Sequence, residues 1–259
     1  MFLQILKILQ DSAITWGMTE KLFLEDSYQT DFEATVLSAD ENGIVLDKTL
    51  FYATSGGQPG DTGALKVRES NDNLLIKTTY KSEDGSDVCH MPGDGLTMPK
   101  VGDVVSGSID WETRHKHMRM HTCMHLLCAS VEGDVTGGSI GAEKSRLDFN
   151  IPGDAVNKED LTEKLNKLIE EDHPVKSFWI TEEELAEKPH LVRTMSVKPP
   201  SAAGRVRLIQ IGSDDHMIDL QPCGGTHVKS TGEIGRVLVK KIENKGRQNR
   251  RINIVFDEE

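Results

Sequence analysis

The stretch WETRHKHMRMHTCMHLLCAS, residues 111–130, separates two parts of the sequence that differ in character. It contains no glycine or proline, and Asp110 just before it can cap a helix N-terminus. Apolar and imidazole side chains recur in it at three- and four-residue steps. The sequence therefore predicts a helix that ends near Val131 and carries His121 and His125 on one broad face.

Upstream of this helix, residues 18–110 contain short β-prone runs separated by glycine, aspartate and asparagine. The clearest runs are ATVLSA (34–39), GIVLDKT (43–49), LLIKTTY (74–80) and VVSGSID (104–110). Short, evenly spaced strands are typical of a small barrel or sandwich. A glycine-rich loop, FYATSGGQPGDTG (51–63), lies near the start of this region.

Downstream, helical and strand patterns are mixed. A second amphipathic helix is predicted at 158–171, and TEEE at 181–184 is a capping-box start for a short third helix. From residue 205 the runs RVRLIQIG, HMIDL, RVLVKKI and RINIVF predict strands. We expect an α+β protein, with a glycine-rich β-barrel domain over 18–110 and a domain with a sheet packed by helices over 111–259.

Composition limits the possible classes of protein. With 259 residues, 37% hydrophobic and 28% charged, the chain reads as soluble and globular. No apolar run approaches the ~20 residues that span a bilayer. The four cysteines make no disulfide framework, which favours a reducing cytoplasm. Residues 1–17 are apolar but lack a clean signal-peptide pattern, so we interpret them as an upstream-start extension or a loose amphipathic helix.

Charge is distributed unevenly. The net charge is −12, yet residues 229–251 hold eight basic and two acidic side chains, which gives +6 there and −18 elsewhere. Such asymmetry indicates a local anionic partner on an acidic body, or a solvated basic face. Charge alone leaves both interpretations open.

The helix and a later loop together offer metal ligands. HMRMH and HTCMH overlap at His121, and residues four apart lie one helical turn above each other. QPCGGTHV (221–228) adds Cys223 and His227, with glycines between them that permit a tight turn. Two helical histidines with a cysteine and a histidine from a loop are a donor set suited to Zn²⁺.

Five motifs in order carry a family resemblance. They are GGQPGDTG, RMHTCMHLL, GGSIGAEKSRLDF, DLQPCGGTHVKSTGEIG and KKIENKGRQNRRI. Together they resemble the freestanding alanyl-tRNA editing proteins of the AlaX type, related to the editing domain of alanyl-tRNA synthetase. The similarity covers about residues 20–256, and the second half resembles more distantly the editing domain of threonyl-tRNA synthetase. It implies trans-editing hydrolysis of the ester in mischarged Ser-tRNA(Ala), with Gly-tRNA(Ala) as a further candidate, and no aminoacylation.

The resemblance also assigns residues. The family's zinc ligands match His121, His125, Cys223 and His227, which leaves His117 one turn outside the motif. Gly56, Gly57, Gln58 and Asp61 match the glycine-rich motif of the longer, two-domain AlaX type. That motif is either a plain β-turn or a loop beside the active site that helps to select the aminoacyl group. Thr54 and Ser55 are candidate hydroxyl contacts to the substrate.

One position departs from the family pattern. In the synthetase editing domains a threonine that can contact the serine hydroxyl commonly precedes the second motif histidine. Here that residue is Met124, whose thioether cannot donate a hydrogen bond. Serine selection then rests on another hydroxyl, with Thr136 and Thr54 as candidates, or it is weaker.

For the reaction itself, the backbone N–H groups of Gly224, Gly225 and Thr226 are candidates for stabilising an oxyanion. Asp61 and Asp219 are the candidate carboxylate bases. Four protein ligands normally close a tetrahedral zinc, whereas catalytic zinc keeps a position open. The sequence therefore leaves open whether the metal is catalytic or positions the substrate.

The basic C-terminal segment fits a tRNA partner. Its candidate phosphate contacts are Lys240, Lys241, Lys245, Arg247, Arg250 and Arg251. Neither a membrane nor an obligate protein partner is expected. Two alternatives to the deacylase are a non-catalytic tRNA-binding module with a structural zinc, and a hydrolase that uses Cys123 or Cys128 as nucleophile. Both cysteines lie in mid-helix, where buried thiols are usually inert.

Overall fold

The computed structural model describes residues 18–70, 72–151, 156–193, 201–202 and 204–257. The predicted N-terminal extension, residues 1–17, lies outside these ranges. No helix of the described chain is long and apolar enough to cross a membrane.

The first half of the chain forms a closed antiparallel barrel. Its strands and two short flanking strands are β1 (Glu20–Lys21), β2 (Asp31–Asp40), β3 (Gly43–Leu46), β4 (Lys48–Thr49), β5 (Gly63–Val67), β6 (Asn73–Lys81), β7 (Val88–Pro92) and β8 (Val104–Ile109). The barrel order is β2-β3-β7-β6-β5-β8. The predicted small barrel is thus confirmed, although β5 and β7 were not among the strands that the sequence indicated.

Alternation along the barrel strands builds its core. In β2 the side chains of Phe32, Ala34 and Val36 are buried while their neighbours are more exposed. A histidine from β7, His90, is fully buried, with its ring nitrogens bonded to Thr49 Oγ1 and the Ile44 carbonyl at 2.8 Å each. Burial lowers the pKa of His90 to about 4, so the ring is neutral near pH 7.

The long helix α1 (Trp111–Ser130) follows the barrel directly. It begins at Asp110, whose carboxylate accepts the Thr113 N–H at 3.2 Å, as a capping residue should. From Met118 to Cys128 almost every side chain is buried, which is the pattern of a helix enclosed on all sides. The sequence prediction of this helix is confirmed.

The remaining elements form two antiparallel sheets and two further helices. They are β9 (Asp134–Ser139), β10 (Lys144–Asn150), α2 (Lys158–Glu170), β11 (Val175–Thr181), α3 (Glu182–Ala186), β12 (Ser201–Ala202), β13 (Arg205–Gly212), β14 (Met217–Pro222), β15 (Val237–Asn244) and β16 (Asn249–Phe256). Short 3₁₀ helices lie at Leu22–Leu24, Pro189–Leu191 and Thr231–Ile234.

One sheet has the order β15-β16-β10-β9, and the other is β11-β13-β12 with β14 also paired to β13. Helices α1 and α2 share a buried core with the first sheet, into which Phe149, Ile252 and Ile254 project. The mixture of barrel, sheets and packed helices is compatible with the expected α+β class. The capping box at the start of α3 is also present, between Thr181 and Glu184.

Candidate functional site

The four side chains expected to bind metal converge in one cluster. His121 and His125 come from α1, and Cys223 and His227 from the loop after β14. Their ligand atoms all lie within 4.8 Å of one another. The Cys223 Sγ is 3.4 Å from His121 Nε2 and 3.3 Å from His227 Nε2, close to the ~3.5 Å expected between ligands of a tetrahedral zinc. Donor types and spacing therefore fit Zn²⁺.

The Nδ1 atom of each histidine in the cluster donates a hydrogen bond to a neighbouring side chain. His121 donates to Gln58 Oε1 at 2.8 Å, and His125 donates to Asp219 Oδ2 at 2.9 Å. His227 donates to Thr122 Oγ1 at 3.1 Å, since the Thr122 hydroxyl proton is used on the Met118 carbonyl. Such outer hydrogen bonds fix ring orientation and tautomer in metal sites.

The protonation states suit metal binding. Burial raises the pKa of the Cys223 thiol, but the rings of His121 and His227 outweigh it and hold the pKa well below its usual range. Burial lowers the pKa of His227 well below its usual range. Burial also lowers the pKa of His125, but hydrogen bonds to Asp219 and Cys223 outweigh it and raise the pKa to about 10. These directions favour a thiolate at Cys223 and a neutral ring at His227, the forms in which both side chains bind a metal.

The glycine-rich loop of the barrel reaches this cluster through Gln58. Ser55 and Gln58 exchange backbone hydrogen bonds around Gly56 and Gly57, whose φ angles are +56° and +82°. Positive φ at both central positions is the signature of a type I′ hairpin turn. Gln58 is fully buried, and its Nε2 donates to Thr226 Oγ1 at 2.9 Å. Its expected role as a substrate contact is corrected to that of a support for His121.

The Cys223–His227 loop is packed against α1 with little free space. A Cβ added at Gly225 would overlap the His121 ring, so only glycine fits there. The Gly225 N–H donates to Cys223 Sγ at 3.4 Å, and the Thr226 N–H donates to Gln58 Oε1 at 3.3 Å. Two of the three expected oxyanion donors are thus already used. No described residue accepts a hydrogen bond from the Gly224 N–H, and Gly224 is one of the residues that line the cavity.

Asp61 is not in the cluster. It is buried and paired with the Arg114 guanidinium, and it accepts the Tyr52 N–H at 2.6 Å. Arg114 is itself fully buried and also donates to the carbonyls of Ser27 and Leu50. Asp61, the candidate base, is thus engaged by Arg114 and lies outside the metal cluster. Its carboxylate neutralises a buried cation at the junction of α1 and the barrel.

Asp219 has a positional role as well. Its Oδ2 accepts from His125 and also from Gln221 Nε2 at 2.9 Å, so the candidate base is a support for a ligand. Neither Gln221 nor Thr122 was recognised from the sequence. Arg207 was missed too: it is buried on β13 and donates to the carbonyls of Cys223 and Gly225 at 3.3 and 2.8 Å. An arginine inside the apolar run RVRLIQIG was the available signal.

A cavity of about 520 Å³ opens beside the cluster. Its lining includes His121, His125, Cys223, Gly224, Gly225, Met124, Thr136, Ser55, Gly56 and Gly57. Thr136 Oγ1 donates to the Asp148 carbonyl at 3.1 Å. Thr54 does not line the cavity, and its hydroxyl binds the Thr79 carbonyl and the Gly60 N–H. The Thr54 hydroxyl is thus engaged within the barrel region, outside the cavity lining.

The basic segment divides into exposed and engaged side chains. Lys240, Lys241, Lys245 and Arg247 are exposed, and the ammonium groups of Lys241 and Lys245 lie 3.0 and 3.7 Å from a Glu243 carboxylate oxygen. Arg250 is buried and donates to the carbonyls of Gly246 and Asn249. Arg251 makes two 2.8 Å hydrogen bonds to the Asp148 carboxylate. Both guanidinium groups are thus engaged within the fold, whereas the exposed side chains among the expected phosphate contacts have no such buried or bidentate partner within the described residues.

The cysteine-nucleophile alternative finds no support. Cys123 and Cys128 are buried, and burial raises the pKa of each thiol to about 12. Thiols in that state are poor nucleophiles at neutral pH. His117 lies outside the metal cluster, as expected.

Two family models of tRNA synthetase domains match separate parts of the chain. Residues 206–253 match the family model described as the threonyl and alanyl tRNA synthetase second additional domain, and residues 15–113 match that of class II (A) tRNA synthetases. The alanyl-tRNA editing protein AlaX-M of Methanosarcina acetivorans is 39% identical over 245 residues, covering 91% of this chain and 98% of that protein.

Other relatives are similar in extent. AlaX-M of Saccharolobus solfataricus is 35% identical over 242 residues, which is 91% of this chain and 98% of that protein. The alanine–tRNA ligase of Pyrobaculum neutrophilum is 37% identical over 236 residues, covering 87% of this chain and 25% of the ligase. The resemblance read from the motifs is confirmed.

Proposed function

Because the chain belongs to the AlaX-M family of alanyl-tRNA editing proteins, we propose that it is a zinc-dependent aminoacyl-tRNA deacylase. Its main substrate is Ser-tRNA(Ala), with Gly-tRNA(Ala) as a second one, and it acts in trans in the cytoplasm without charging tRNA. The observation that carries the proposal is the cluster of His121, His125, Cys223 and His227, of which His121, His125 and Cys223 line the cavity. The cavity has the size typical of small-molecule sites.

The proposed hydrolysis needs an activated ester and a donor for the oxyanion that forms. When bound, a zinc ion supplies polarisation of an ester carbonyl and activation of water. The Gly224 N–H is the backbone donor available at the cavity for the developing oxyanion. Arg207 fixes the carbonyls on either side of Gly224 and so holds that N–H in place.

Serine selection is assigned to Thr136. Met124 lines the cavity with a thioether and cannot donate a hydrogen bond to the substrate. Thr136 uses its proton on the Asp148 carbonyl, so its oxygen remains an acceptor for a serine hydroxyl. A site built to bind a hydroxyl discriminates strongly against an analogue that lacks it. Alanyl-tRNA would thereby be spared.

A second candidate function has one observation in its favour. Four protein ligands complete a tetrahedral shell, which is typical of structural zinc. On that basis the chain would be a non-catalytic tRNA-binding module. In both cases Lys240, Lys241, Lys245 and Arg247 are the remaining candidates for contacts to tRNA phosphates.

One assay separates the two functions. Metal-replete protein is incubated with Ser-tRNA(Ala), Gly-tRNA(Ala) and Ala-tRNA(Ala), and loss of each ester is followed with time. The deacylase hydrolyses the seryl ester and spares the alanyl ester. Tight tRNA binding without hydrolysis would establish the binding module instead. Thr136→Val should reduce the preference for seryl over alanyl ester, and an unchanged preference would remove Thr136 from the site.

A further inference from the structure

We propose that the mouth of the cavity binds the 3′-terminal nucleotides of the RNA substrate, with Lys21 and Lys81 contacting a backbone phosphate and Trp179 stacking on a base. All three side chains line the cavity that contains the metal cluster. The identification of the ligand as a tRNA end rests on the proposed function. It assigns roles to residues that neither the ligand set nor the basic C-terminal segment includes.

The two lysines form a like-charged pair on the barrel side. Lys21 lies in β1 and is half-buried, whereas Lys81 ends β6 and is exposed. Within the described residues, no carboxylate lies within ion-pair distance of either ammonium group. Burial lowers the pKa of Lys21, and the nearby charge of Lys81 lowers it further, with Asp87 acting in the opposite sense. An anion placed between the two ammonium groups would relieve this repulsion.

A hydrogen bond places the lysine pair next to the glycine-rich hairpin of the barrel. Lys81 Nζ donates to Ser55 Oγ at 3.0 Å, and Ser55 belongs to the hairpin whose glycines line the cavity. On a chain with a net charge of −12, two unneutralised cations at a cavity mouth are a local exception. A phosphodiester is the anion that an aminoacylated RNA end brings to this position.

Trp179 provides an aromatic surface in the cavity lining, from the β11–β13 sheet. In β11 it pairs with Arg207 of β13, so the two side chains share a face of the sheet. Arg207 in turn holds the carbonyls of Cys223 and Gly225, which puts this face beside the metal loop. Trp179 is only half-buried; the Arg205 guanidinium lies over its ring, 6.0 Å from the centroid, and the remaining exposed ring surface can stack on a base.

The next residue on the strand supplies an internal comparison. Phe178 pairs with Leu208 and projects from the other face, where it lines a separate cavity. Single-stranded RNA is held by aromatic stacking combined with cationic contacts to its backbone. Here the cationic contacts come from the barrel side, and the aromatic surface comes from the β11–β13 sheet.

The test compares two seryl esters: a minihelix RNA ending in CCA, and 2′(3′)-O-seryl-adenosine, which carries no phosphate. The variant Lys21→Gln/Lys81→Gln should lower kcat/KM about 10-fold or more with the minihelix and leave that with seryl-adenosine unchanged. It should also reduce the salt dependence of the minihelix reaction by about one to two units of slope. Lys66→Gln/Lys100→Gln is the matched control, since both lysines are exposed in the barrel region away from the cavity.

For the stacking surface, Trp179→Ala should lower kcat/KM with both esters by about 5- to 150-fold, the range of one base–aromatic stack. Trp179→Phe should restore most of that loss, and Phe178→Ala should leave both substrates unaffected. An equal loss on both esters from the lysine variant would overturn the phosphate contact. Equal effects of Trp179→Ala and Phe178→Ala would overturn the stacking role.

If the protein is not a deacylase, the ester assay gives a different result. In that case wild-type protein leaves both seryl esters intact. Fluorescence anisotropy of an uncharged, labelled CCA minihelix with the same variants then decides the inference. Weaker binding by the lysine pair and Trp179→Ala variants, but not by their controls, supports it, and equal binding by all variants overturns it.

Discussion

Two glycine pairs meet at the candidate active site, and they serve different physical purposes. Gly56 and Gly57 turn the barrel hairpin and adopt positive φ angles. In the pair Gly224–Gly225, residue 225 has an ordinary backbone but lies against the ring of His121. The first pair is needed for backbone conformation, and Gly225 of the second for the absence of a side chain. Similar dipeptides in a sequence can therefore respond quite differently to the same substitution.

The loops also differ in what they give to the metal cluster. The 223–227 loop supplies two ligands, whereas the barrel hairpin supplies none and acts through Gln58. We therefore expect changes in the ligand loop to weaken metal binding more than changes in the hairpin do. Four substitutions test this difference.

The largest effect is expected from Cys223→Ser, because it replaces the thiolate ligand. Its loss of zinc affinity should exceed the 10- to 100-fold that outer hydrogen-bond partners typically contribute, and ester hydrolysis should fall with it. Competition with a chelating dye measures the affinity. Cys89→Ser, the same change at a buried barrel position, should leave zinc affinity unaltered. Undiminished affinity in Cys223→Ser would exclude this cluster as the zinc site.

Gly225→Ala should come next, with a loss of zinc affinity on the order of 100-fold. The added Cβ would overlap the His121 ring and displace its Nδ1 from Gln58. The same chelator competition measures it, and circular dichroism checks that the fold is retained. A normal affinity would show that the loop can move away from α1 at little cost.

Gln58→Ala should weaken zinc binding by about 10- to 100-fold without removing a ligand. The substitution leaves His121 Nδ1 without its acceptor and Thr226 without its amide donor. Gln58→Glu keeps an acceptor oxygen for His121 and should lose less affinity. If both variants bind zinc as well as wild type, the hairpin has no influence on the cluster.

Gly56→Ala should have the smallest effect. A Cβ there meets no atom within 4 Å, so the cost is the left-handed backbone alone, about 1 kcal/mol of unfolding free energy. Thermal unfolding measures that change, and zinc affinity should stay within about 3-fold of wild type. A loss as large as that of Gly225→Ala would make the two glycine pairs equivalent.

Much of this arrangement was predictable because it depends on local periodicity. The absence of helix breakers and the recurrence of apolar side chains identified α1, and the four-residue spacings brought His121, His125, Cys223 and His227 into consideration. Asp110 as a cap and Thr181–Glu184 as a capping box are equally local features.

The outer hydrogen bonds were not predictable in this way. Gln58, Thr122 and Asp219 come from a barrel hairpin, α1 and β14, and no sequence spacing relates them. For a similar reason, the count of charged residues did not identify the partners of the basic side chains. The excess of basic residues near the C-terminus gave no sign that Arg251 is bound to Asp148, a residue 103 positions away.

The distance along the chain between the two halves of the cluster bears on how the protein is made. His121 and Cys223 are 102 residues apart, so at ribosomal rates of 5–20 residues per second the second half emerges about 5 to 20 s after the first. During that interval a nascent chain has two imidazoles of the cluster and no thiolate. Gln58, by contrast, has already been synthesised when His121 appears. The barrel can therefore orient the first ligand before the partner that completes the site exists.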